Sequence, residues 1–171
     1  MNKVLILSDS HGLRDEITQI RNQHHVDHVI HCGDSSIDDT DPVLRDMIVV
    51  NGNCDFFGSF PNDEHRKLNG LDFLITHGHL YGVKSGLLNL TYRAEELQAQ
   101  VVCYGHTHIA GAEKIGKQLF INPGSIRLPK GRSEKTYAIM AWDSVNEVTV
   151  NFYTTSGQVI EDMSYTTSLA S

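Results

Sequence analysis

The sequence has no surplus of basic residues, no long apolar run and no paired cysteines. Each absence removes a class of function. Lys and Arg number 14 against 21 Asp and Glu, a formal net charge of −7. No basic field is available to attract a polyanion, so neither stable nucleic-acid binding nor attachment to a membrane surface is expected. A small phosphate-bearing substrate held by locally bound cations stays compatible with that charge. The opening stretch "MNKVLILSDS" has only four apolar residues in a row, too few for a signal-peptide core or a membrane span. Cys32, Cys54 and Cys103 are odd in number and show neither CxxC nor finger spacing. That pattern fits a reducing compartment, and a cytoplasmic protein is expected.

What is present reads as one domain over residues 1–165, followed by a tail, "TTSLAS" at 166–171, expected to be disordered. A chain of 171 residues can bury roughly 70% of the surface its unfolded form exposes, so it needs no covalent staples. "KVLIL" has the continuous apolar character of a strand buried on both faces. Leu13, Ile17 and Ile20 then mark one face of a helix. "HVIHCGD", a short helical "VLRDM" and "MIVV" continue a βαβαβ rhythm, which argues for parallel strands. The second half turns at Asn69-Gly70, forms a helix between Lys84 and Gln98, and ends in hairpins and alternating strands. The expected architecture is two packed sheets with helices outside.

Ten histidines are present, and their placement matters more than their number. His24, His25, His28 and His65 look scattered on polar surface, whereas His11, His31, His77, His79, His106 and His108 lie at or near the ends of apolar runs. Asp9 and His11 follow the first strand, Asp34 the second and Asn53 the third; His77 follows the fifth, and His106 and His108 the sixth. Ligands of parallel sheets bind at the carboxyl ends of strands, so these positions converge on one rim. Carboxylate, imidazole and amide oxygen suit manganese, iron, zinc or similar ions rather than calcium. Seven candidates are too many for one tetrahedral zinc but suit two ions sharing a carboxylate. Two divalent ions carry +4 against −2 from Asp9 and Asp34, which favours a bridging hydroxide and an anionic substrate.

Singly, these segments have plainer readings. "DSH" could cap the following helix, and "CGD" is an ordinary turn. "NGNCD" at 51–55 could be no more than a turn leaving a strand. Their order at five strand ends is what speaks for a metal site.

The ordered motifs D-x-H (Asp9, His11), G-D (Gly33, Asp34), G-N-x-D (Gly52 to Asp55), H-G-H (His77 to His79) and G-H-x-H (Gly105 to His108) resemble those of the calcineurin-like metallophosphoesterases. The short chain and "NPGS" at Asn122 to Ser125 are similar to the small bacterial and archaeal YfcE-like phosphodiesterase branch. The resemblance implies an α/β, four-layer αββα sandwich of two mixed sheets and a dinuclear site hydrolysing phosphate diesters with a metal-bridging hydroxide. Asp9, His11 and His108 would hold the first metal, Asp34 would bridge, and Asn53, His77 and His106 would hold the second. Manganese leads the expected metals, with iron, zinc, cobalt and nickel as alternatives. Homodimers or larger homo-oligomers are common in the family. A scaffold that keeps the fold without the chemistry, as in a retromer subunit resembling the family, is the competing class, and a phosphomonoesterase a third.

Cys54 departs from the family's frequent G-N-H-[D/E], in which the histidine beside the Asn contacts phosphate and can protonate the leaving group. A neutral thiol does that poorly, which shifts the expectation from monoesters towards activated diesters. Cys54 as a thiolate ligand is a further reading. His79 could be an alternative acid or a hydrogen-bonding support. Asp55 could orient a ligand histidine or cap a turn. Arg127 could reach a substrate phosphate or be an exposed loop residue.

Overall fold

The structure, a computed structural model, describes residues 1–56 and 59–171. Alternation within each strand assigns its two faces. In β1 (Asn2–Leu7), Val4 and Ile6 point into a central core, whereas Leu5 and Leu7 pack on Ile17 and Ile20 of α1 (Arg14–Asn22). β1 pairs in parallel with β2 (His28–His31), which pairs in parallel with β3 (Met47–Val49). On the other side of β1, β9 (Thr136–Ser144), β10 (Glu147–Thr154) and β11 (Tyr165–Thr167) add antiparallel strands, giving a six-stranded sheet.

The second sheet runs in the order β4, β5, β6, β8, β7. Its strands are β4 (Asp63–Leu68), β5 (Leu71–Thr76), β6 (Val101–Cys103), β7 (Gly111–Ile115) and β8 (Gln118–Asn122). β5, β6 and β8 are parallel, flanked by antiparallel β4 and β7. Phe73 and Ile75 face the first sheet, while Leu74 faces Leu90 and Ala94 of α2 (Leu88–Glu96). Helix, sheet, sheet and helix thus form four layers; the first sheet is parallel over β1, β2 and β3 and antiparallel beyond β1 on the other side, whereas the second is parallel in its middle and antiparallel at both edges.

Several expectations are adjusted. The segment after Pro42 is one 3-10 turn, Pro42–Leu44. The helix expected from Lys84 begins at Leu88, because Gly86 takes a φ of 127° that only glycine adopts without strain and breaks the chain direction. Thr166 to Leu169, expected to belong to a disordered tail, are ordered: Thr166 and Thr167 pair with β10, and Leu169 is buried in the central core. Cys32 and Cys103 are buried in the same core as small apolar side chains. No helix among the described residues is long and apolar enough to cross a membrane.

Candidate metal centre

The loops leaving β1, β2, β3, β5 and β6 meet at one rim between the sheets, and they bring all seven expected donors together. Their backbone is unusual. Nine non-glycine residues among those described have positive φ, and five of them are Asp9, His11, Asp34, His106 and His108. Left-handed backbone costs a non-glycine residue about 1–2 kcal/mol, and its clustering at one rim is a mark of function. The "DSH" segment does not cap α1, whose N-cap is Leu13 with no side-chain bond.

Each carboxylate has one tethered oxygen and one facing the centre. Asp9 Oδ2 accepts from Ser8 Oγ at 2.6 Å and from the His106 amide at 3.1 Å. Asp34 Oδ1 accepts from the Cys54 amide at 2.8 Å. The free oxygens look at imidazole nitrogens: Asp9 Oδ1 lies 3.2 Å from His108 Nε2, 3.8 Å from His77 Nε2 and 4.0 Å from His11 Nε2. Asp34 Oδ2 lies 3.2 Å from His77 Nε2 and 4.0 Å from His11 Nε2.

Tautomers follow from the outer bonds. His77 Nδ1–H donates to the Cys32 carbonyl at 2.8 Å, and His108 Nδ1–H to the Leu128 carbonyl at 2.7 Å. In the neutral rings, each Nε2 therefore turns a lone pair inward, towards carboxylate oxygens that are also acceptors. Asn53 Oδ1 at 3.1 Å and His106 Nδ1 at 3.2 Å complete the crowd around His77 Nε2. Asp9 Oδ1 and His11 Nε2 are buried and have no hydrogen-bond partner among the described residues. A pocket of converging lone pairs is stable only around cations. Asp9, His11 and His108 form one compact donor group, and Asp9, Asp34 and His77 another.

Burial pushes Asp34 up, but the bond to His77, its charge and the Cys54 amide outweigh that and hold the carboxyl well below the ordinary range. Asp9 is lowered likewise: burial opposes the shift, but His108, His77 and Ser8 outweigh it. Burial works against protonation of His77, yet Asp34 and Asp9 raise its pKa. His106 is pushed down to about 4 by burial, with further contributions from His77 and from Lys84. Lys84, which sequence spacing did not single out, is thus a cation beside the rim.

The four remaining candidates are less uniform. Asp55 neither orients a ligand histidine nor caps only its own turn. It accepts the amides of Asp34 at 2.8 Å, Ser36 at 2.9 Å and Gly52 at 2.7 Å, locking two ligand loops together. Arg127 donates from Nη1 to the His11 carbonyl at 2.6 Å, so it steadies that loop. Cys54 Sγ lies within 4.8 Å of a His11 nitrogen and an Asp34 oxygen, but burial and the Asp34 charge raise its pKa. His79 lies 5.4 Å from His77 between ring centroids, and its Nδ1 is buried without a hydrogen-bond partner among the described residues.

Supporting residues that sequence spacing did not assign lie behind the donors. The His31 ring is fully buried; its Nδ1 accepts the Gly33 amide at 3.0 Å, so Nε2–H is left to donate to Ser10 Oγ at 2.8 Å. Ser125 Oγ donates to the Asp9 carbonyl at 2.8 Å, and Asn122 Nδ2 to Thr107 Oγ1 at 2.9 Å. The "NPGS" segment is thus a buttress under two ligand loops. Gly52 and Gly105 are required for close approach, because a Cβ would collide with the Asp34 carboxylate at the first and with Ser8 and Asp9 at the second.

Comparison with known proteins agrees with this geometry. The chain is 49% identical over 162 residues to the probable metallophosphoesterase YsnB of Bacillus subtilis, covering 94% of this chain and 95% of the relative. It is 32% identical over 126 residues to the phosphodiesterase YfcE of Escherichia coli K12, covering 68% of this chain and 64% of that one. A Streptococcus pneumoniae TIGR4 structure of a predicted phosphoesterase superposes with a TM-score of 0.92 at 34% identity, covering 96% of each chain. Zinc-bound Vps29 of Entamoeba histolytica shares the fold, with a TM-score of 0.74 at 20% identity, covering 98% of this chain and 99% of that one. Residues 2–144 match the calcineurin-like phosphoesterase superfamily domain, and the chain belongs to that superfamily, whose members use divalent metals.

Proposed function

We propose that this chain is a metal-dependent phosphodiesterase with a dinuclear site. Asp9, His11 and His108 would hold one divalent cation, Asn53, His77 and His106 a second, and Asp34 would bridge them. Asp9 Oδ1 is the observation that carries the reading: it is buried, unpartnered among the described residues, and faces three imidazole nitrogens within 4.0 Å. The mixed carboxylate, imidazole and amide set suits manganese first, then iron, zinc, cobalt or nickel. When bound, the cations supply charge stabilisation at the phosphoryl oxygens and a water ionised near neutral pH.

The chain's own residues do the positioning. Backbone carbonyls of Cys32 and Leu128 fix the tautomers of His77 and His108, and Asp55 keeps the Asp34 and Gly52 loops in register. Cys54 occupies the place of a proton donor but holds its proton tightly, since burial and Asp34 raise its pKa. Leaving groups that need no protonation are therefore favoured, which points to aryl diesters over alkyl monoesters. His79, 5.4 Å from His77 between ring centroids, is the candidate for the remaining proton transfer. The name of the relative YfcE, a phosphodiesterase, supports the same substrate class.

Metal analysis paired with hydrolysis of bis(4-nitrophenyl) phosphate tests the reading. Activity should fall at least about 100-fold on chelation and return with Mn²⁺. Turnover that survives complete chelation overturns it. A protein that binds metal yet turns over no phosphate ester would instead be a scaffold, as the competing reading holds.

A further inference from the structure

We infer that the outer face of the second sheet carries a subsite for the retained ester group of a phosphate diester, and that this group is uncharged and aromatic or apolar. The inference rests on the phosphodiesterase reading above. A cavity of about 360 Å³ is walled by Val83, Leu87, Tyr104, Ile109 and Phe120. Two of its lining residues lie next to the loops that carry candidate metal donors. Thr107, which lines it, stands between His106 and His108. Val83 packs against Gly78, between His77 and His79, so closely that a Cβ there would come within 2.9 Å of Val83 Cγ2.

Charge and size define the occupant. Glu113 is the single charged residue of the described lining, so the wall itself offers a second phosphate or a carboxylate repulsion and no cationic partner. A cavity of about 150 Å³ already accepts benzene, so this one has room for a substituted ring or a base-sized heterocycle. Ile109 is 53% exposed, an apolar side chain left in water beside two metal donors until a ligand covers it. A monoester has no group to place there.

Gly111 provides the means to fill the space. Strand alternation puts it on the face of β7 that carries Ile115, which packs in the α2 layer, and a Cβ at Gly111 meets nothing within 4 Å. Bis(4-nitrophenyl) phosphate and 4-nitrophenyl methyl phosphate expel the same leaving group and differ only in the ester they retain. In Gly111→Leu, the ratio of kcat/KM for the bis-aryl over the methyl diester should fall about tenfold, through KM. A ratio that stays within twofold of wild type, with both esters still hydrolysed, overturns the subsite. Turnover of the methyl ester and an unchanged metal content show that the variant is folded and loaded. If metal-loaded wild type hydrolyses neither ester, the phosphodiesterase reading itself falls and takes the subsite with it.

Discussion

The two halves of the rim are built differently. Asp9, Asp34 and His77 are buried, and each is tied by at least one outer hydrogen bond to a serine, an amide or a carbonyl. Asn53 is exposed, Cys54 is half-buried, and the bond between them is a 3.6 Å contact from amide to sulfur. Outer hydrogen bonds hold these buried donors in place, and donors so held adapt little when they take up a ligand. On the proposed function the exposed side is where substrate would approach, and Cys54 is a weak proton donor there. On that reading the tethered donors chiefly govern metal affinity, while on the exposed side Asn53 would serve the metal and Cys54 the choice of leaving group.

The largest effect should come from breaking the buried side. Asp34→Asn removes the charge proposed to bridge two cations, and turnover of an aryl diester should drop on the order of 10³-fold, about 4 kcal/mol of barrier, with loss of at least one equivalent of metal on elemental analysis. Retained activity at wild-type metal content would remove Asp34 from the centre.

On the exposed side, Cys54→His restores an acid in place. Hydrolysis of diesters with poor alkyl leaving groups should rise by up to about 100-fold, with little change for 4-nitrophenyl leaving groups. A flat response across a leaving-group series sinks the account of Cys54.

His31 touches no expected donor side chain, yet it braces the Asp9 and Asp34 loops through Ser10 and Gly33. His31→Gln should weaken metal binding about tenfold by calorimetry. Burial pushes His31 down to about 4 from its ordinary 6.5. A group depressed in this way contributes stability that is present above about pH 6.5 and lost as pH falls towards 4. His77 and His108 are raised and act with the opposite sign, losing their contribution as pH rises. The melting temperature of metal-free wild type minus that of His31→Gln should therefore shrink between pH 6.5 and 4. A difference that is constant over that range would mean that His31 is not neutral in the fold.

The meeting of the seven candidate donors at one rim was legible in the sequence because each lies at or near the end of an apolar run, and parallel strands send such ends to one edge. The two-sheet architecture was legible in part for a related reason: the unbroken apolar run Val4 to Leu7 in "KVLIL" is what a strand covered on both faces requires. The bracing was not. Ser10, Ser125 and Asn122 act through hydrogen bonds to residues up to 116 positions away, as from Ser125 to Asp9, and no spacing rule encodes those partners. The role of Asp55 escaped for the same reason, since its three bonds are to backbone amides of two different loops. The tail was misread because its composition is polar, while its order comes from strand pairing and from one apolar side chain, Leu169, entering the core.

The left-handed backbone at the donors has a consequence for substitution there. His11 has a φ of 44°, and its Nε2 makes no hydrogen bond among the described residues. Replacing it by glycine would abolish a ligand while relieving about 1 kcal/mol of local strain. The entropy that glycine adds to the unfolded chain offsets much of that relief, so the strain at this position is tied to the side chain presented to the rim and not to a need of the fold.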